Sequence, residues 1–244
     1  MNLHEIIQDA SEELYRRSRL SEQLENLKRE AIRASKQAVL YIHRREMKRA
    51  LGRLRKAKAL ISKASELGKD RPDLIYTSSY EVALQEYAEA RLLMGFIRFG
   101  KYPHWKEIGV PPVPYVMALG DLVGELRRSA LDSLKDGDIK KAEEFLKAME
   151  DLYLELFSID EPRALSGELR HKVDTARRLL ETTRGELAIE FRRKSLESSI
   201  KSLEETLKRY EAKPWERKGE GEGESDSEGK GGPKSEGGGE GKAS

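Results

Sequence analysis

The chain has 244 residues, 37% hydrophobic and 37% charged, and its 46 Lys and Arg against 44 Asp and Glu leave a net charge of +2. The absence of cysteine excludes disulfides, zinc fingers and thiol catalysis. The length accommodates one or two domains with a real core, the near-cancelling charge directs attention to where the charges lie, and no apolar run approaches the roughly 18 residues needed to cross a bilayer. The opening stretch, MNLHEIIQDASEELYRR, is acidic and amphipathic rather than a signal peptide, so a soluble, cytoplasmic protein is expected.

Residues 3–67 contain no proline and one glycine, Gly52, and their apolar residues recur at spacings of three and four. This pattern predicts two long helices, split near 42–46. The second carries a basic stretch, HRREMKRALGRLRKAKALISK over 43–63, with nine Lys or Arg and one acid, Glu46. A basic stripe of this kind either solvates a helix face or neutralises phosphates. As nucleic-acid contacts the sequence nominates Arg44, Arg45, Lys48, Arg49, Arg53 and Lys56.

After a break at 68–72, SSYEVALQEYAEARLLMGFIRFG over 78–100 predicts a helix. At about 100° per residue, with Val82 at zero, Glu86 falls near 40° and Glu89 near −20°, in line with Leu93, Phe96 and Ile97. Burying an ionised carboxylate without a partner is costly, so these two must share a cation or a basic side chain, or face a wet cavity. A break over 100–114 precedes a further helix over 114–136. With Asp121 at zero, Glu125 falls near 40°, Arg128 near −20° and Asp132 near 20°, opposite an apolar face. Taken alone, this stripe reads as a solvated face. Gly120 and Gly124 flank it, and two glycines inside a helix, each costing about 1 kcal/mol, ask for a reason. The expected reason is close approach of another backbone, bringing the two acidic helices together.

The Asp136-Gly137-Asp138 turn comes next, with Asp138 as the predicted N-cap of another helix. A further break follows at 160–162. In the last helix Leu196, Ile200, Leu203, Leu207 and Tyr210 follow a 4-3-4-3 heptad spacing, which serves either a subunit contact or, as expected here, docking on the chain's own bundle. Residues 214–244 hold ten of the twenty glycines and eight acids against five bases, which puts −3 on this segment and +5 on the rest. Such a composition predicts a disordered tail. The whole is read as an all-α protein, one helical bundle over 1–213 with a tail over 214–244.

Glu86, Glu89, Asp121 and Glu125 together offer hard oxygen donors suited to Mg²⁺ or Mn²⁺ rather than zinc, and such an ion could activate water and stabilise a phosphoryl transition state. No competing catalyst is evident. His4, His43, His104 and His171 match no ligand or triad spacing and are read as surface or interface residues. A phosphate-binding glycine loop is absent from the sequence.

Two segments resemble the family of translin and translin-associated factor X. LQEYAEA over 84–90 is similar to that family's Gln-Glu-Tyr-Val-Glu-Ala segment, and PYVMALGDLVGELRRSALDSLKDGDIKKAEEFL over 114–146 to its Gly-Glu-Leu-x-Arg helix and the Gly-Asp turn after it. A weaker likeness lies in LRHKVDTARRLLETTRGEL over 169–187. The resemblance implies about seven helices in a bundle that assembles into a closed, hollow octamer binding single-stranded RNA and possibly single-stranded DNA. It implies that Glu86, Glu89 and Asp121 are the catalytic residues of a Mg²⁺-dependent endoribonuclease, that Glu125 joins them as a metal ligand, and that the cluster faces the inner cavity. In the translin type the position matching Asp121 loses its acid, so the resemblance favours the catalytic type over a purely binding one. Arg128 would contact a scissile phosphate or pair with an acid. The segment over 100–114 departs from the longer insertion of the eukaryotic factor X type, and a compact chain of this kind is similar to archaeal members, which implies a homo-oligomer.

Overall fold

The computed structural model describes residues 2–159 and 166–211. They form α1 (Leu3–His43), α2 (Met47–Leu67), α3 (Pro72–Ile75), α4 (Ser78–Phe99), α5 (Trp105–Ile108), α6 (Pro112–Lys135), α7 (Ile139–Phe157) and α8 (Ser166–Glu211). No strand is present among the described residues. The all-α reading therefore holds. Six of these helices are long; α5 is a single turn inside the break read over 100–114, and α3 is a single turn that starts at the end of the break read over 68–72. None of the helices is long and apolar enough to cross a membrane. The break at 160–162 and the tail over 214–244 lie outside the described residues.

Local chemistry sets the ends of these helices. Asn2 caps α1 in a capping box: its side chain accepts from the Glu5 N–H at 2.9 Å, and the Glu5 carboxylate accepts from the Asn2 N–H at 3.0 Å. The predicted split near 42–46 is found between His43 and Met47. There Arg45 adopts φ 61°, a left-handed conformation that a non-glycine residue seldom holds without support. Its guanidinium donates to Asp136 at 2.6 Å. Asp138 caps α7 as predicted, accepting from the Lys141 N–H at 3.0 Å.

The compact unit is Met1–Glu197. Here α1 packs on α2 and α4, and α6 on α4 and α7. Ala31, Ala34, Ala38, Ala50, Ala57 and Ala64 are buried, and side chains this small let helices approach closely. Lys28 is fully buried on α1. Its ammonium donates to Glu25 at 2.9 Å, to the Leu74 carbonyl at 3.0 Å and to the Thr77 hydroxyl at 2.8 Å, so all three of its protons are used. The first part of α8 joins the core through Leu169, Val173, Ala176 and Leu180, the first two beside Met117 of α6 and Leu156 of α7.

The second unit begins at Ser198 and is described as helix to Glu211. Its heptad residues Ile200, Leu203, Leu207 and Tyr210 are exposed, as is Leu196 just before it. A heptad spacing specifies an apolar stripe, not what covers it.

Candidate acidic site

The four acids nominated from the sequence come from two neighbouring helices, Glu86 and Glu89 from α4 and Asp121 and Glu125 from α6. All four are partly buried, so the α6 stripe is not the solvated face it resembles in isolation. Val82, by contrast, is exposed, so the α4 stripe starts at the surface and runs inward to fully buried Leu93.

Each of three acids has drawn a basic side chain. Lys36 of α1 donates to Glu86 at 3.0 Å. His43 Nε2, at the end of α1, lies 2.5 Å from a Glu125 oxygen, and Arg128 reaches the same carboxylate at 3.9 Å. Lys172 of α8 donates to Asp121 Oδ1, and Gln85 Nε2 donates to Asp121 Oδ2 at 2.5 Å. Glu89 is the exception. Burial, followed by the charges of Asp121, Glu86 and Glu125, pushes its pKa up from 4.5 to about 8, with Lys172 opposing. Its proton is therefore held at neutral pH. The hydrogen bond to Glu86, aided by the charges of Glu86, Glu89 and Asp121, keeps the Lys36 ammonium protonated to a higher pH than usual.

Among the described residues no three His, Asp or Glu side chains are placed to hold a metal ion as they stand. The donor set nevertheless fits a hard divalent cation, because four carboxylates from two neighbouring helices share one region and three of them bear electrostatically on Glu89. Both Asp121 oxygens are already engaged, by Lys172 and by Gln85, so an ion reaching Asp121 would compete with these contacts.

The glycines have a different role from the one expected. A Cβ on Gly120 would lie 2.9 Å from Lys172 Cδ and 3.0 Å from Lys172 Cβ, whereas one on Gly124 would meet nothing within 4 Å. Gly120 makes room for a lysine from α8, not for α4, and Gly124 is not a close-approach point.

The basic nominees are divided. Arg45 pairs with Asp136, Arg49 with Glu46 at 2.7 Å and Lys56 with Glu30 at 3.2 Å. Arg44 and Lys48 are exposed and Arg53 is half-buried. Arg128, half-exposed, is the one nominee beside the acids. Sequence patterning does not place Lys36, His43, Gln85 or Lys172 in the site. His43, read as a surface or interface residue, has a side chain only 5% exposed. Gln85 lies within the LQEYAEA segment, so its sequence did carry a signal. Lys36 and Lys172 have none, because a lysine on a helix of a highly charged chain looks the same whether it faces water or an acid.

The Translin family model matches residues 2–182. The chain belongs to the Translin family. Both acidic helices, the paired lysines and His43 lie within the matched region. A protein of Methanocaldococcus jannaschii described as uncharacterised is 34% identical over 122 residues, covering 49% of this chain and 54% of its own length. The chain thus spans about half the length of that curated relative. Among solved structures, the AfC3PO crystal structure is similar at a TM-score of 0.66 and 30% identity, over 75% of this chain and 96% of that one. The structure of an AfC3PO–duplex RNA complex is similar at 0.65 and 28%, over 75% and 95%. The apo-NeC3PO crystal structure, at 0.69 and 24% over 75% and 96%, shares the fold.

Proposed function

We propose that this chain is a Mg²⁺-dependent endoribonuclease, with Mn²⁺ as an alternative ion, that acts on single-stranded RNA inside a hollow homo-oligomer. The observation that carries this reading is the acid cluster itself. In a Translin-family fold, four carboxylates from two neighbouring helices share one region, and burial together with the charges of the other three holds the pKa of Glu89 up at about 8. The similarity to AfC3PO in complex with duplex RNA supports RNA as the ligand class.

Glu86, Glu89, Asp121 and Glu125 would hold the ion, which when bound supplies water activation and charge stabilisation at phosphorus. The rest falls to the chain's own side chains. Glu89, Glu86 and Asp121 act as the catalytic carboxylates. The Lys36 side chain is 64% exposed and that of Arg128 50% exposed, so both present charge to a phosphodiester arriving from solvent. Buried His43 fixes the Glu125 carboxylate from behind. Arg44, Lys48 and Arg53 supply sequence-independent attraction to the RNA backbone.

A second reading is supported by the same contacts. Lys36, Lys172, His43 and Arg128 already pair with the acids, which is what a structural ion-pair network in a non-catalytic single-stranded RNA- or DNA-binding protein requires. Cleavage of single-stranded RNA by the purified protein in Mg²⁺ and in EDTA separates the two. Cleavage that needs the metal and falls at least about a hundredfold in Glu89→Gln, with RNA binding retained, is the outcome expected of a nuclease. RNA binding with no metal-dependent cleavage would leave the binding reading standing.

A further inference from the structure

Lys172 brings a cation from α8 into the acid cluster, and the fold makes special provision for it. Its stem crosses α6 at Gly120, where a Cβ would sit 2.9 Å from its Cδ. Its ammonium ends on Asp121, and its side chain is 15% exposed. Lys36, by comparison, reaches Glu86 from a largely exposed position.

Resting on the reading of the four acids as a metal site, we propose that Lys172 is a positioning residue that acts as the site's built-in counter-ion and competes with the divalent metal for Asp121. An ammonium and a divalent ion both require carboxylate lone pairs, and two cations on one carboxylate repel one another. Metal entry therefore displaces the Lys172 ammonium from Asp121 Oδ1. The glycine fixes the path of the stem, so the lysine that holds Asp121 in the metal-free protein sets how tightly the metal must bind to replace it. It keeps Asp121 compensated in the metal-free protein and lowers metal affinity.

The test is a Mn²⁺ titration of the full-length protein by calorimetry, with no RNA present, comparing the wild type with Lys172→Met, Gly120→Ala and Asp121→Asn. Lys172→Met should bind Mn²⁺ about tenfold more tightly, the factor expected from removing one charge-assisted contact that competes with the ion. Gly120→Ala keeps the charge but displaces the stem, and should shift affinity in the same direction. Lys172→Arg, which restores the cation, should return affinity toward the wild-type value. Unchanged or weaker binding in Lys172→Met, with binding still lost in Asp121→Asn, overturns the role of Lys172 and leaves the metal site standing. Mn²⁺ binding that is absent from the wild type, or unaffected by Asp121→Asn, overturns both. Size-exclusion chromatography and circular dichroism of each variant confirm that the comparison is between folded proteins.

Discussion

Glu89 concentrates the physical chemistry of the site in one side chain. Its folded pKa of about 8 stands above the ordinary 4.5. Between these values the folded chain keeps a proton that the unfolded chain has released. Raising the pH through this window therefore removes stability, and the loss is complete once the pH exceeds the folded value. In EDTA, the unfolding free energy of the wild type should fall steadily from about pH 5 to about pH 8, with a limiting slope of about 1.4 kcal/mol per pH unit, and the melting temperature with it. Glu89→Gln, which imitates the protonated carboxyl, should flatten this part of the profile. A wild-type profile as flat as that of the variant would show that Glu89 is not held protonated in the folded chain. Glu86 and Glu89 were legible because burial of a carboxylate beside Leu93 is a conflict visible in helical periodicity, whereas Asp121 and Glu125, on a stripe that alone reads as a solvated face, were reached through the family resemblance. Their partners were not. His43, Lys36 and Lys172 reach the site from α1 and α8, and the periodicity of one helix says nothing about what another brings to it.

At the scale of the helices, the glycines show where sequence reasoning succeeds and where it stops. A glycine inside a helix does signal something unusual, but the signal does not say which neighbour it serves. Gly120 serves Lys172. At Gly95 a Cβ would lie 2.7 Å from Pro103 Cδ and 2.8 Å from the Lys101 carbonyl oxygen, so this glycine lets the segment before α5 lie against α4. Gly124 faces open space. Gly95→Ala should therefore cost about 1–3 kcal/mol, because the nearest atoms belong to a proline ring and a backbone carbonyl that cannot step aside. Gly124→Ala should instead stabilise by up to about 1 kcal/mol, through helix propensity alone. Urea denaturation of the two variants checks the pair, and equal effects would mean that these contacts do not govern stability. The long helices and their breaks were legible because proline, glycine and capping residues act locally. Coverage of the heptad seam was not, since a stripe of leucines has the same spacing whatever lies on it.

At the scale of the whole molecule, the proposed RNA binding gives different weights to the cations of α2. Arg49 and Lys56 are engaged with Glu46 and Glu30, whereas Lys48 and Arg53 extend from the same helix with no carboxylate in ion-pair contact among the described residues. A cation already paired releases fewer phosphate counterions when RNA binds. Lys48→Gln and Arg53→Gln should each lower the slope of log affinity against log salt for single-stranded RNA by about 0.7, and Arg49→Gln and Lys56→Gln by less. Fluorescence anisotropy across a salt series measures these slopes, and slopes unchanged from the wild type in all four variants would exclude α2 as the RNA-facing helix.

The route of the chain through the acid cluster has a temporal side. Lys36 and His43 precede the acids in the sequence, and Lys172 follows them on the last helix. A ribosome therefore delivers all four carboxylates before it delivers the ammonium that rests on Asp121. Until α8 has docked, the half-made protein carries a negative charge without its counterweight, and only the finished chain restores the balance. The same lysine that moderates the site in the mature protein thus marks, during synthesis, the moment at which the site is closed.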